Sequence, residues 1–115
     1  MSFNGSCHCG TVKFTVDAPM PTEAMSCNCS ICRRKGVLMA FFPAAKVKVE
    51  GEASLQAYKF NKHVLSHWFC KTCGIHVFGG GKGPDGNEMR AINLRCVPDA
   101  DLDALKIQQF DGASA

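Results

Sequence analysis

No stretch of this chain is apolar for long. The longest unbroken run, Val37 to Phe42, has six residues, against the roughly 20 that a membrane-spanning helix requires. A secretory signal is missing as well: Cys7, His8, Cys9 and Asp17 stand where an apolar core and a small-residue cleavage site would be needed. The expected compartment is therefore cytoplasmic. Repeats, linkers and low-complexity tracts are also missing. With 46% apolar and 20% charged residues, a disordered tail or a collagen-like fibre is excluded. A length of 115 residues fits one compact domain, 1–115, able to bury a core of its own.

Cysteine is what the chain has in excess. Eight occur, grouped as Cys7-His8-Cys9, Cys27-Asn28-Cys29-Ser30-Ile31-Cys32 and Cys70-Lys71-Thr72-Cys73, with Cys96 alone. A disulfide framework would need an oxidising compartment, which nothing here suggests, and residues two apart bridge each other poorly. Metal ligation is the better account. The formal charge of +3 counts thiols as neutral, yet zinc-bound thiols are thiolates. Seven thiolates and two zinc ions would bring the protein to about zero, which weakens bulk charge as an argument for nucleic-acid binding.

The pattern between the cysteines is one of strands and turns. Val12, Phe14 and Val16 alternate with polar residues before Pro19 and Pro21; Val37 to Phe42 reads as a buried strand stopped by Pro43. Val47 and Val49 alternate with charged residues, Gly51-Glu52 turns the chain, and Leu55 to Phe60 follows as a strand. Val64 to Phe69 and Ile75 to Phe78 flank Cys70 and Cys73 as a zinc-knuckle hairpin, and Met89 to Leu94 is the last strand. Pro98-Asp99 should open a helix of one or two turns carrying Leu102 and Leu105. The expected fold is mainly β, a zinc-binding domain of small antiparallel sheets with a short C-terminal helix. Gly81-Lys82-Gly83-Pro84-Asp85-Gly86 matches a dinucleotide-binding glycine motif, but no helix pattern follows it and the segment reads as a hairpin turn.

A closed zinc site takes four ligands, commonly as two distant pairs. Cys7/Cys9 and Cys70/Cys73 supply such pairs, each followed by a glycine, although spacing alone leaves open which pairs share an ion. Cys27, Cys29 and Cys32 could bind a second ion and leave its fourth position open, as catalytic zinc sites do. A thiolate-rich centre suits a thiol as its added ligand, whose proton the metal would help remove. Arg33, Arg34 and Lys35 beside it could receive that ligand's carboxylates, or could be a solvated loop. Cys29 and Cys32 could instead form a redox dithiol, though a third cysteine and the lack of a following helix signal speak against it. Cys96 could close the site or be a buried apolar residue, the commoner fate. His8, between two ligands, reads as exposed, His67 and His76 on their strands as structural, Lys62 and His63 as a candidate anion pocket, and Trp68, Phe69 and Phe78 as core.

These blocks, Ser6-Cys7-His8-Cys9-Gly10, Cys27-Asn28-Cys29-Ser30-Ile31-Cys32-Arg33 and Phe69-Cys70-Lys71-Thr72-Cys73-Gly74-Ile75-His76, resemble those of the glutathione-dependent formaldehyde-activating enzyme family, which includes centromere protein V. Asn93-Leu94-Arg95-Cys96 and Phe110-Asp111-Gly112 are similar to its members too. The resemblance implies a mainly β zinc protein with Cys7, Cys9, Cys70 and Cys73 on a structural ion and Cys27, Cys29 and Cys32 on a catalytic one. It also implies a carbon–sulfur lyase-type reaction joining formaldehyde to glutathione as S-hydroxymethylglutathione. A zinc-stabilised binding module and a glutathione carrier without turnover are the alternatives.

Overall fold

In the computed structural model, residues 1–59, 66–83 and 85–114 are described. Strand β1 (Phe3–Ser6) pairs antiparallel with β2 (Lys13–Val16), and β2 with β5 (Val47–Glu50), making a three-stranded sheet. The alternation seen in the sequence sets its register: Phe3 lies opposite Val16, and Phe14 opposite Val49. Gly51 leaves β5 with φ of 82°, and a side chain there would strike the Thr11 carbonyl, so this turn requires glycine.

The second sheet has seven strands in the order β10-β3-β4-β9-β8-β7-β6. They are β3 (Glu23–Cys27), β4 (Met39–Pro43), β6 (Leu55–Tyr58), β7 (Ser66–Cys70), β8 (His76–Lys82), β9 (Glu88–Asn93) and β10 (Lys106–Phe110). All pairings are antiparallel except β10 with β3. That parallel pair departs from the antiparallel sheets expected. The C-terminal helix is reduced to a single 3-10 turn, Leu102–Ala104, after which the chain runs on as a strand. The glycine motif is the β8–β9 hairpin, closed by bonds from Gly83 N to Asn87 O (2.8 Å) and from Gly86 N to Gly83 O (2.9 Å). The expected strands at Leu55 to Phe60 and Val64 to Phe69 run partly outside the described residues, as do Lys62 and His63.

Each face of the large sheet has its own role. The cross-strand row Ala40–Ile92–Phe78–Trp68 packs toward the small sheet, where Phe14, Val12 and Val16 are fully buried and the Phe3 and Phe42 rings lie 5.6 Å apart. The neighbouring row, Phe41–Ala91–Gly79–His67, points the other way. No second sheet covers it among the described residues, and a cavity lies on that side.

Candidate functional site

Cys7 follows β1 and Cys9 occupies the next turn; Cys70 ends β7 and Cys73 lies in the turn to β8. Their four Sγ atoms fall within 4.8 Å of one another. Cys7 to Cys9 is 3.6 Å and Cys9 to Cys70 is 3.7 Å, close to the edge of roughly 3.8 Å of a thiolate tetrahedron with zinc–sulfur bonds of about 2.3 Å. Gly10 (φ 81°) and Gly74 (φ 79°) turn the chain back, donating to the carbonyls of Cys7 and Cys70 at 3.3 and 2.8 Å. Backbone N–H groups of Cys9 and Ile75 hold the Cys73 thiol down to about 6, whereas burial pushes that of Cys7 up. Such a cluster can hold a metal ion, and it would join a turn of each sheet.

The second cluster is built at the end of β3. Cys27 closes that strand, Cys29 precedes helix α1 (Ser30–Lys35), and Cys32 lies within it; the three Sγ atoms again fall within 4.8 Å. The helix is a correction to the loop expected after Cys29. It ends where Gly36, at φ 69°, donates to the Cys32 carbonyl at 2.9 Å. Burial, then the neighbouring Cys29 and Cys27 thiols, push the Cys32 thiol up to about 12. A cation is what would let three crowded thiols ionise together. Among the described residues, no fourth cysteine, histidine or carboxylate joins this trio within the same distance.

The chain's last segment folds over the trio. Phe110 lies opposite Cys27 in the β10–β3 pairing. Asn28 donates to Asp111 Oδ1 at 3.0 Å and accepts from Ala113 N at 2.9 Å.

Beside the trio is a cavity of about 880 Å³, mostly apolar through Met25, Met39, Phe41 and Phe110, a size in the range of small-molecule sites. Gly79 and Gly81 leave its floor without side chains. Lys35, His67 and His76 supply polar groups to its wall. Strict alternation would put His76 on the core face with Phe78. A register shift between Trp68 and Phe69 prevents it: Trp68 pairs with Phe78 but Phe69 with His76, leaving Val77 as the extra residue of a bulge. His76 thereby joins the face of His67, their ring centroids 6.0 Å apart.

His76 is only 7% exposed. Its Nδ1 lies 3.1 Å from Lys35 Nζ, its backbone carbonyl accepts from Asn93 Nδ2 at 2.9 Å, and its Nε2 is buried with no hydrogen-bonding partner among the described residues. Burial, then the charge of Lys35, push its pKa down to about 3, so the ring is neutral. Burial also lowers the pKa of Lys35, whose ammonium stands 5.7 Å from the centroid of the Phe69 ring.

The structure divides the three basic residues singled out in the sequence. Lys35 lines the cavity; Arg33 and Arg34 are exposed outside its lining, and Arg34 Nη1 bonds the Ser30 carbonyl of its own helix at 2.8 Å. Cys96 is buried in the core and belongs to neither cluster, its Sγ 3.5 Å from the His76 carbonyl. His8 is exposed, Trp68 and Phe78 pack together in the core, and Phe69 lies under Lys35. Sequence reasoning missed His67 and His76 as cavity residues. The one available signal was the run Gly79-Gly80-Gly81 inside a strand, since glycine there marks a place something approaches closely.

Comparison with known proteins gives the chain its family. A curated protein of Halomonas elongata, provisionally named a glutathione-dependent formaldehyde-activating enzyme, is 53% identical over 34 residues, which are 30% of this chain and 22% of that protein's length. A crystal structure of a Rhodobacter sphaeroides protein superposes with a TM-score of 0.79 at 29% identity, covering 93% of this chain and 99% of the other. The family model described as glutathione-dependent formaldehyde-activating enzyme matches residues 2–109, and the chain belongs to that family.

Proposed function

We propose that the protein joins the sulfur of glutathione to formaldehyde, or releases it from the adduct, as a carbon–sulfur lyase-type enzyme working in the cavity beside Cys27, Cys29 and Cys32. The observation that carries this reading is the trio itself, three converging thiols beside a cavity large enough for a tripeptide. Cys7, Cys9, Cys70 and Cys73 would hold a structural zinc ion, and the trio a catalytic one. Zinc at the trio, when bound, supplies the positive charge that lets an added thiol exist as its thiolate at neutral pH.

This chain's own residues would do the rest. Met25, Met39 and Phe41 would exclude water from the reacting carbon. Lys35 and Lys82 in the lining would attract the carboxylates of glutathione, with Arg33 and Arg34 extending that positive field from the exposed face of α1. As the carbon–sulfur bond forms, the carbonyl π pair moves onto oxygen and takes up a proton, while the thiol's proton goes to solvent. Eight free thiols suit a reducing, cytoplasmic setting.

Calorimetric titration of the zinc-loaded protein tests the reading. Glutathione should bind with release of a proton and weaken as salt rises; S-methylglutathione, which keeps both carboxylates but cannot form a thiolate, should bind at least tenfold more weakly. Equal binding of the two, or none by either, would favour a binding module instead.

A further inference from the structure

The buried imidazole in the cavity wall is unexplained by thiol binding alone. An ammonium group offers only donors, so Nδ1 of neutral His76 must accept from Lys35 Nζ at 3.1 Å. The hydrogen of that ring is then on Nε2. This N–H is buried and unpartnered among the described residues, a condition that folded proteins rarely leave standing. An oxygen acceptor entering the cavity would relieve it. Three independent features hold the ring there: the Val77 bulge turns it to the cavity face, Asn93 grips its backbone carbonyl, and Lys35 fixes its tautomer.

We infer that His76 is a catalytic residue that donates its Nε2–H to the aldehyde oxygen, with Lys35 as the positioning residue behind it. The inference rests on the reaction proposed above. Sulfur's electron pair makes the carbon–sulfur bond and the carbonyl π pair becomes an oxygen lone pair. That oxygen takes the proton from Nε2 while Nδ1 takes one from Lys35, which leaves lysine neutral and the imidazole neutral in its other tautomer. Lys35 regains a proton from solvent, balancing the one lost by the thiol. In the reverse direction the same relay draws the hydroxyl proton away as the carbon–sulfur bond breaks.

The test has two arms on the zinc-loaded protein. Two-bond proton–nitrogen correlations on histidine-labelled protein should show His76 neutral with hydrogen on Nε2 at pH 7, and this preference should relax in Lys35→Met. A charged ring or hydrogen on Nδ1 in the unsubstituted protein overturns the inference. For adduct formation from formaldehyde and glutathione, followed by NMR, His76→Ala should lose about 100-fold in kcat/KM. Glutathione affinity should stay within twofold, and His76→Gln, which keeps an N–H donor, should recover at least tenfold. A His76→Ala rate within threefold of the unsubstituted protein, or an affinity that falls in step with the rate, overturns the inference and leaves the reaction standing. If the unsubstituted protein binds glutathione yet does not accelerate the adduct, the reaction itself is overturned, and with it the role of His76.

Discussion

Gly112 lies directly against Cys27. A β-carbon on Gly112 would stand 2.5 Å from Cys27 Sγ and 3.2 Å from the β-carbon of Cys29. The thiol trio thus depends on a residue 80 or more positions away. Gly112→Val should displace Cys27 or the segment over it, so metal analysis after zinc-replete expression should fall from two ions per chain toward one. Melting temperature should change little, because Gly112 lies outside the core. Two ions retained in Gly112→Val would show that the trio tolerates the intrusion.

The two clusters should differ when broken. Cys70 is fully buried and its cluster ties the two sheets, whereas the trio stands at the end of one strand. Structural zinc contributes on the order of 10 kcal/mol to folding. Cys70→Ser should therefore lower the melting temperature by more than about 10 °C, while Cys29→Ser should chiefly abolish thiol binding. Equal thermal losses would make the trio structural as well.

Asn93 is buried, gives Nδ2 to the His76 carbonyl at 2.9 Å and accepts from Arg95 N at 3.2 Å. Asn93→Leu leaves both partners without it and should cost about 2–3 kcal/mol in chemical denaturation. A loss below about 0.5 kcal/mol would mean that the strand end holds without this bridge.

Asp111 responds to pH. The bond from Asn28, then that from Ser114, hold its carboxyl below the ordinary range. A lowered native pKa stabilises the ionised form, so this contribution is complete above the ordinary carboxylate pKa and is lost as pH falls through the native value. Amide exchange over residues 110–114, corrected for its intrinsic pH dependence, should thus lose protection on acidification. In Asn28→Ala that protection should be low at neutral pH as well, and a pH-independent difference between the two proteins would refute the linkage.

How far the sequence could be read depended on the distance over which each feature is decided. Cys27, Cys29 and Cys32 meet because six residues cannot separate them far, and Val47 and Val49 declare a strand by alternation within the strand itself. Helix α1 is six residues with no acidic first turn and no side-chain cap, so only Gly36 marked its end. Strand β10 is exposed along its length and owes its place to parallel pairing with β3, some 80 residues earlier. His76 was hidden for another reason: periodicity assumes one residue per rung, and the rung at Val77 has two.

That doubled rung makes the location of the imidazole a matter of pairing register rather than of residue identity. Were Val77 to take a rung of its own, with every side chain of the strand still present, alternation would carry the ring to the opposite side of the sheet, among Phe78 and Ile92. Deleting Val77 would instead set His76 directly before Phe78 and leave the ring on the cavity face. A slip of pairing, and not the loss of a residue, is what would take the donor out of the cavity.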